Sequence, residues 1–172
     1  PHATKRTRHP VWLYLDEQLK HSYLEHMSLT PQAAETLTLL RENGIMTVIL
    51  STHPHEAEEA ARLLDEKVRH FELTDYFDEV YATAEYPKAK AEKMLEVLER
   101  HNLTKDEALM VGDSYKWDYA PAQSVEIDAV LINSDYHQEN RENEPVQKLI
   151  DDLDGLLPLL GLPAVPLNTL SI

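Results

Sequence analysis

The apolar residues fall in short blocks that switch between two periods. Residues 11 to 15, Val-Trp-Leu-Tyr-Leu, follow Pro10 and have the composition of a buried strand. Val11, Leu15, Leu19, Tyr23 and Met27 also recur every four residues, the stripe of an amphipathic helix, so periodicity supports either element there. Thr30 and Pro31 read as a helix start, a hydroxyl cap followed by a residue with no N–H to leave unpaired, and Gly44 reads as its stop. Between them Ala33, Leu37 and Leu40 share one face. The apolar run Ile45 to Leu50, bounded by Gly44 and by Ser51 and Thr52, predicts a buried strand.

After Pro54 the spacing predicts an acidic, alanine-rich helix with Ala57, Ala60, Ala61 and Leu64 inward and Glu56, Glu58 and Glu59 in water. Val80 to Ala82 is a further short strand, and residues 89 to 101 a helix with Met94, Leu95 and Leu98 inward. Ala108 to Val111 predicts a strand ending at Gly112 and Asp113, followed by a short helix from about Lys116 and a strand from Ile127 to Ile132. Strand and helix in alternation imply an α/β fold, a parallel sheet with helices on both faces. Beyond Asp135 a polar stretch, HQENRENEP, precedes a predicted helix through Val146, Leu149, Ile150 and Leu153. The tail GLLPLLGLPAVPLNTLSI is apolar and broken by proline, as expected of a strap over the domain or a contact with a partner subunit or second copy.

With 172 residues and no internal repeat, one domain over the whole chain is the expectation, residues 136 to 172 being its C-terminal helix and tail. Composition narrows the chemistry. A formal charge of −15, from 31 acidic and 16 basic residues, disfavours nucleic acid and anionic membranes as partners. A small anionic substrate stays compatible with it, because a metal ion or a helix start can reverse the field inside a cleft. The absence of cysteine excludes disulfides, thiolate catalysis and cysteine-bound zinc. No apolar run approaches the ~18 residues of a membrane span and the N-terminus has no apolar signal core, so a cytoplasmic location is expected.

In a parallel sheet, side chains at the C-terminal strand ends converge on one edge, where ligands bind. Ser51, Asp113 and Lys88 fall there. Asp113 and Asp118 lie on one turn, so both carboxylates can reach a hard cation such as Mg2+. Ser51 can donate to a phosphate oxygen, and Lys88 can neutralise charge on a transferring phosphoryl group. Taken singly, each has a plainer reading: Ser51 and Thr52 as a strand end, Asp113 as a turn aspartate, Lys88 as a solvated helix-start lysine. The pair His53 and His55 has no third ligand at helpful spacing, and the run Glu56 to Glu59 reads as a solvated helix face.

Taken together and in order, TVILST, the lysines of YPKAKAEKM, and DEALMVGDSYKWD resemble the second, third and fourth motifs of the haloacid dehalogenase superfamily. GDSxxxD after a buried strand, followed by a small-residue helix and the strand VLIN, is the most specific of these. TDYFDEVYAT is similar to the family's approach to the third motif, and the resemblance covers roughly residues 30 to 133. It implies a three-layer, Rossmann-like core and a phosphohydrolase acting on a small phosphorylated substrate through a phosphoaspartate and Mg2+. Carried over, Ser51 would bind the phosphoryl group, Lys88 (with Lys90 close by) would hold nucleophile and phosphate, and Asp113 and Asp118 would serve the metal.

The first motif departs from the family's Asp-x-Asp-Gly-Thr: at the expected strand end stands YLDEQL. With Asp16 as nucleophile, Gln18 replaces the second aspartate. With Asp16 as the acid and base, Tyr14 replaces the nucleophile. Alternatively, residues 11 to 27 are the last helix of a cap domain. The family's first strand lies between those ending at Ser51 and Asp113, a slot that leaves two unpaired edges if empty, which favours the strand reading. The functional alternatives are a catalytically silent scaffold that binds or builds, or a fragment lacking its nucleophile strand.

Overall fold

The computed structural model describes residues 24–84, 86–134 and 146–165; residues 11 to 15 and Asp16 lie outside the described residues. Helix α1, Ala33–Glu42, buries Ala33, Thr36, Leu37 and Leu40. Thr30 does not cap it. Gln32 takes the cap position in the left-handed region (φ 57°) with no side-chain cap, and the Thr30 carbonyl instead accepts from Ala33 N–H at 3.2 Å, closing a turn over Pro31. The stop is as expected: Gly44 has φ +73°, and the following Ile45 N–H reaches back to the Leu40 carbonyl at 3.0 Å.

Strand β1, Val48–His53, pairs in parallel with β2, Glu79–Ala84, from Val48 opposite Glu79 to His53 opposite Ala84. The strand predicted at Ile45 to Leu50 therefore starts later and runs on through Ser51 and Thr52. The ladder is made by backbone groups, so polar side chains do not end it while β2 continues alongside. Helix α2, Ala57–His70, joins the two and buries Ala60, Leu64 and Val68; Ala57 and Ala61 are exposed. Helix α3, Pro87–His101, buries Met94, Val97 and Leu98, while Leu95, expected inside, faces out.

Strand β3, Leu109–Gly112, pairs in parallel with β4, Asp128–Ile132, and β4 pairs with the two-residue β5, Leu149–Ile150. The helix expected through Val146 and Leu153 is thus replaced by an extended edge segment. Its i, i+3, i+4 spacing suits a helix, but the open edge of β4 offers Leu149 and Ile150 a ladder that an isolated helix would forgo. Helix α4, Ala120–Ser124, lies between β3 and β4, and α5, Leu156–Leu159, follows β5. The tail contributes Leu157, Leu162 and Val165 to a cluster with Leu37 and Leu40 of α1, so this part straps the domain itself.

Among the described residues the strands form two sheets, β1-β2 and β3-β4-β5. A larger cluster unites Met94 and Leu98 of α3, Tyr119 and Ala122 with Ala129 and Leu131 of β4, and Leu50 and Met110 pack against it. Ala129 and Leu131 face that cluster; Val130, between them, points the other way and is 1% exposed. Both faces of β4 are covered, as a parallel strand requires. The architecture is the expected α/β, Rossmann-like core.

Candidate active site

The site is built from the end of β3 outward. Past Gly112 the chain turns at Asp113 and Ser114, then winds one wide turn, Tyr115–Tyr119, closed by Tyr119 N–H donating to the Ser114 carbonyl at 3.2 Å. This winding returns Asp118 over its own strand end. One Asp118 carboxylate oxygen accepts from the backbone N–H of Asp113 at 3.1 Å and of Ser114 at 2.9 Å. The glycine at 112 is required by this return: a Cβ there would lie 2.3 Å from Asp118 Cγ. Ser114 Oγ fixes the turn's start by accepting from Trp117 N–H at 3.2 Å.

The other Asp118 oxygen accepts from Lys90 Nζ at 2.5 Å. The two side chains are 6% and 8% exposed, so a buried ammonium meets a buried carboxylate that two backbone donors already stabilise. Lys90 comes from the first turn of α3. Lys88, two residues earlier, is exposed and does not line the cavity. The sequence carried a signal for this choice: Lys90, Met94 and Val97 follow the helical spacing of α3's buried face, whereas Lys88 shares a face with Glu92 and Leu95, both exposed.

From the opposite side β1 brings Ser51 and Thr52. The Thr52 hydroxyl lies 3.3 Å from that of Thr83 on β2, and Thr83 Oγ also donates to the Ser51 carbonyl at 3.3 Å. His53 ends the strand. Its Nε2 is buried without a hydrogen-bond partner among the described residues. Burial, and then the positive charges of Lys67, His55 and Lys90, hold its pKa below the ordinary imidazole value.

Between the two strand ends opens a cavity of about 400 Å3. Ser51 and Thr52 line it on one side and Asp113, Ser114 and Asp118 on the other, with Lys90 between and Pro54 and Trp117 also in its wall. Of the residues singled out in the sequence, Ser51, Asp113 and Asp118 meet here, Lys88 does not, and Asp16 lies outside the described residues. Among the described residues no three His, Asp or Glu are grouped so as to hold a metal by themselves.

A family model for haloacid dehalogenase-like hydrolases matches residues 2–125. The chain belongs to the haloacid dehalogenase-like hydrolases. It is 33% identical over 123 residues to ribulose-1,5-bisphosphate 5-phosphatase of Halopiger xanaduensis, a match covering 70% of this chain and 49% of that protein. The chain spans about half the length of the curated relatives it matches. Among solved structures, the HAD phosphatase of Thermococcus onnurineus is 28% identical with a TM-score of 0.65, over 87% of this chain and 66% of that one. The hydrolase YfnB of Bacillus subtilis shares the fold, with a TM-score of 0.70 at 19% identity over 87% of this chain and 63% of that one. The cavity stands at the C-terminal ends of β1 and β3, the end of parallel strands where ligands bind in α/β folds, and the strap of residues 156–165 packs against α1. No helix among the described residues is long and apolar enough to cross a membrane.

Proposed function

We propose that this chain is a Mg2+-dependent phosphohydrolase for a small phosphorylated substrate. The observation that carries the reading is the convergence of Ser51, Lys90 and Asp113 on one cavity between two parallel strand ends. Membership of a hydrolase family, and a relative that is a sugar bisphosphate phosphatase, support it.

The Ser51 hydroxyl donates to a phosphoryl oxygen. Lys90 takes the role sequence reasoning gave to Lys88: its ammonium, oriented by Asp118, faces the charge that grows on the phosphoryl group. Asp118 acts through its three protein partners, fixing the turn and the lysine, while Asp113 would supply a carboxylate to Mg2+. The donors are hard oxygens, and Mg2+ is commonly held by one or two carboxylates together with substrate phosphate and water, a set that Asp113 and Asp16 fit. The ion would supply charge neutralisation on the phosphate oxygens. Asp16 is the proposed nucleophile: its carboxylate bonds to phosphorus, the ester P–O bond breaks, the alcohol leaves with a proton from water, and a second water releases inorganic phosphate from the acyl phosphate.

The test is turnover of para-nitrophenyl phosphate with and without Mg2+. Metal-dependent release is expected, falling by about a hundredfold or more in Asp113→Asn and in Asp16→Asn. No release from the unmodified chain overturns the enzyme reading. It would favour the second one, a HAD-fold binding subunit, which rests on YLDEQL standing in place of Asp-x-Asp-Gly-Thr.

A further inference from the structure

The cavity wall is graded from floor to mouth. Lys90, Ser114 and Asp118 line it and are buried, which puts the lysine ammonium at its floor. Two further lining residues take no part in the phosphate chemistry: Trp117, half-buried, and Pro54, exposed, which belong to the mouth. They come from different walls, Trp117 from the turn after β3 and Pro54 from the position that follows β1. Trp117 is held from two directions. Its backbone N–H donates to Ser114 Oγ at 3.2 Å, and the Lys116 ammonium covers one face of its ring, 4.4 Å from the centre. With that face taken, the indole has its other face and its edge to offer. Pro54 adds a rigid apolar ring with no N–H.

We infer that Trp117, with Pro54 from the other wall, seats the carbon part of the substrate and makes the chain selective for phosphate esters of a flat, uncharged group, an aromatic alcohol above all. The inference rests on the phosphohydrolase reading for its phosphate end and adds the recognition of the leaving group. Buried side chains close the floor, so a phosphoryl group drawn down to Lys90 directs its ester carbon back towards the mouth, where these two residues stand. Aromatic rings pair by offset stacking or edge to face and gain more than plain apolar burial. An ammonium already seated on one face of the indole disfavours a second cation on the other, so the group favoured there carries no positive charge.

The experiment uses phenylphosphonate and methylphosphonate, whose C–P bonds ester hydrolysis does not cut, at one fixed Mg2+ concentration and a pH where both are dianions. Calorimetric titration of the full chain should show phenylphosphonate binding about fivefold to tenfold more tightly, the return expected from one aromatic contact. Trp117→Ser should bring phenylphosphonate down to the affinity of methylphosphonate, since the bond to Ser114 Oγ comes from the backbone and survives the substitution. Trp117→Phe should keep most of the preference. Equal affinities in the unmodified chain overturn the seat, as does a preference that survives Trp117→Ser. If Trp117→Ser loses methylphosphonate as well, Trp117→Leu decides: full preference there overturns the aromatic seat, and a reduced one upholds it. Failure of both phosphonates and of inorganic phosphate to bind overturns the phosphate-site reading, and the seat with it.

Discussion

The two walls of the cavity are made differently. The turn after β3 is closed on itself: one carboxylate accepts two backbone donors and a buried ammonium, a serine ties Trp117, and the glycine beneath is packed so closely that a methyl group has no room. The end of β1 is held chiefly by its ladder to β2. Among the described residues its side-chain hydrogen bonds are the 3.3 Å contacts of Thr83 with the Thr52 hydroxyl and the Ser51 carbonyl, and the His53 ring leaves a buried nitrogen without a partner. One wall is thus preorganised, with its charges fixed before any substrate arrives, and the other is shaped mainly by backbone pairing. Fixed dipoles and charges stabilise a developing charge without reorganising, so the preorganised wall is where chemistry on a phosphoryl group would be supported.

The contrast breaks most visibly at Asp118. Asp118→Ala removes the acceptor of three donors and strands the Lys90 ammonium in a buried site, so a loss of about 3–5 kcal/mol is expected in urea unfolding. Adding Lys90→Met should recover a large part of it, because the stranded charge goes too. A single-variant cost under about 1 kcal/mol would mean that the turn is not locked as described. The equivalent truncation on the other wall, Thr83→Ala, removes two long contacts and should cost clearly less.

The next effect is steric. Gly112→Ala would place a methyl group 2.3 Å from Asp118 Cγ, and the neighbour is a carboxylate held at both oxygens, not the free end of a flexible chain. Either the turn opens or the ion pair moves. A cost of about 1–3 kcal/mol in thermal or urea unfolding is expected, accompanied by weaker phosphate binding. Full stability with unchanged binding would show that the turn can yield.

The preorganised wall was also the more legible one in the sequence. A glycine and two aspartates at fixed spacing after an apolar run specify a turn by local chemistry, and the structure places Asp113 and Asp118 on that turn. What was not legible depended on partners distant in sequence. Ser51 reads as a strand end until β2 is known to continue beside it, and Lys88 and Lys90 separate only when the face of α3 that is buried is known. Leu149 and Ile150 carried a helical period and became an edge strand because β4 had an edge to offer. Local composition does not record which neighbour a segment finds.

The smallest effect concerns the loosely held wall. His53 is kept below the ordinary imidazole pKa of 6.5, first by burial and then by Lys67, His55 and Lys90, all of which oppose a further positive charge. As pH falls, the unfolded chain therefore takes up this proton before the folded chain does. The stability tied to a neutral His53 is complete above 6.5 and is lost as pH falls from there to the lower folded value. The chain has eight other histidines, so the effect must be read as a difference between two proteins. Melting temperatures taken from about pH 7.5 to about pH 5.5 should fall less steeply for His53→Phe than for the unmodified chain. Parallel curves would show that the buried nitrogen finds a partner as the pH drops, and the two walls would then be more alike than their hydrogen bonds indicate.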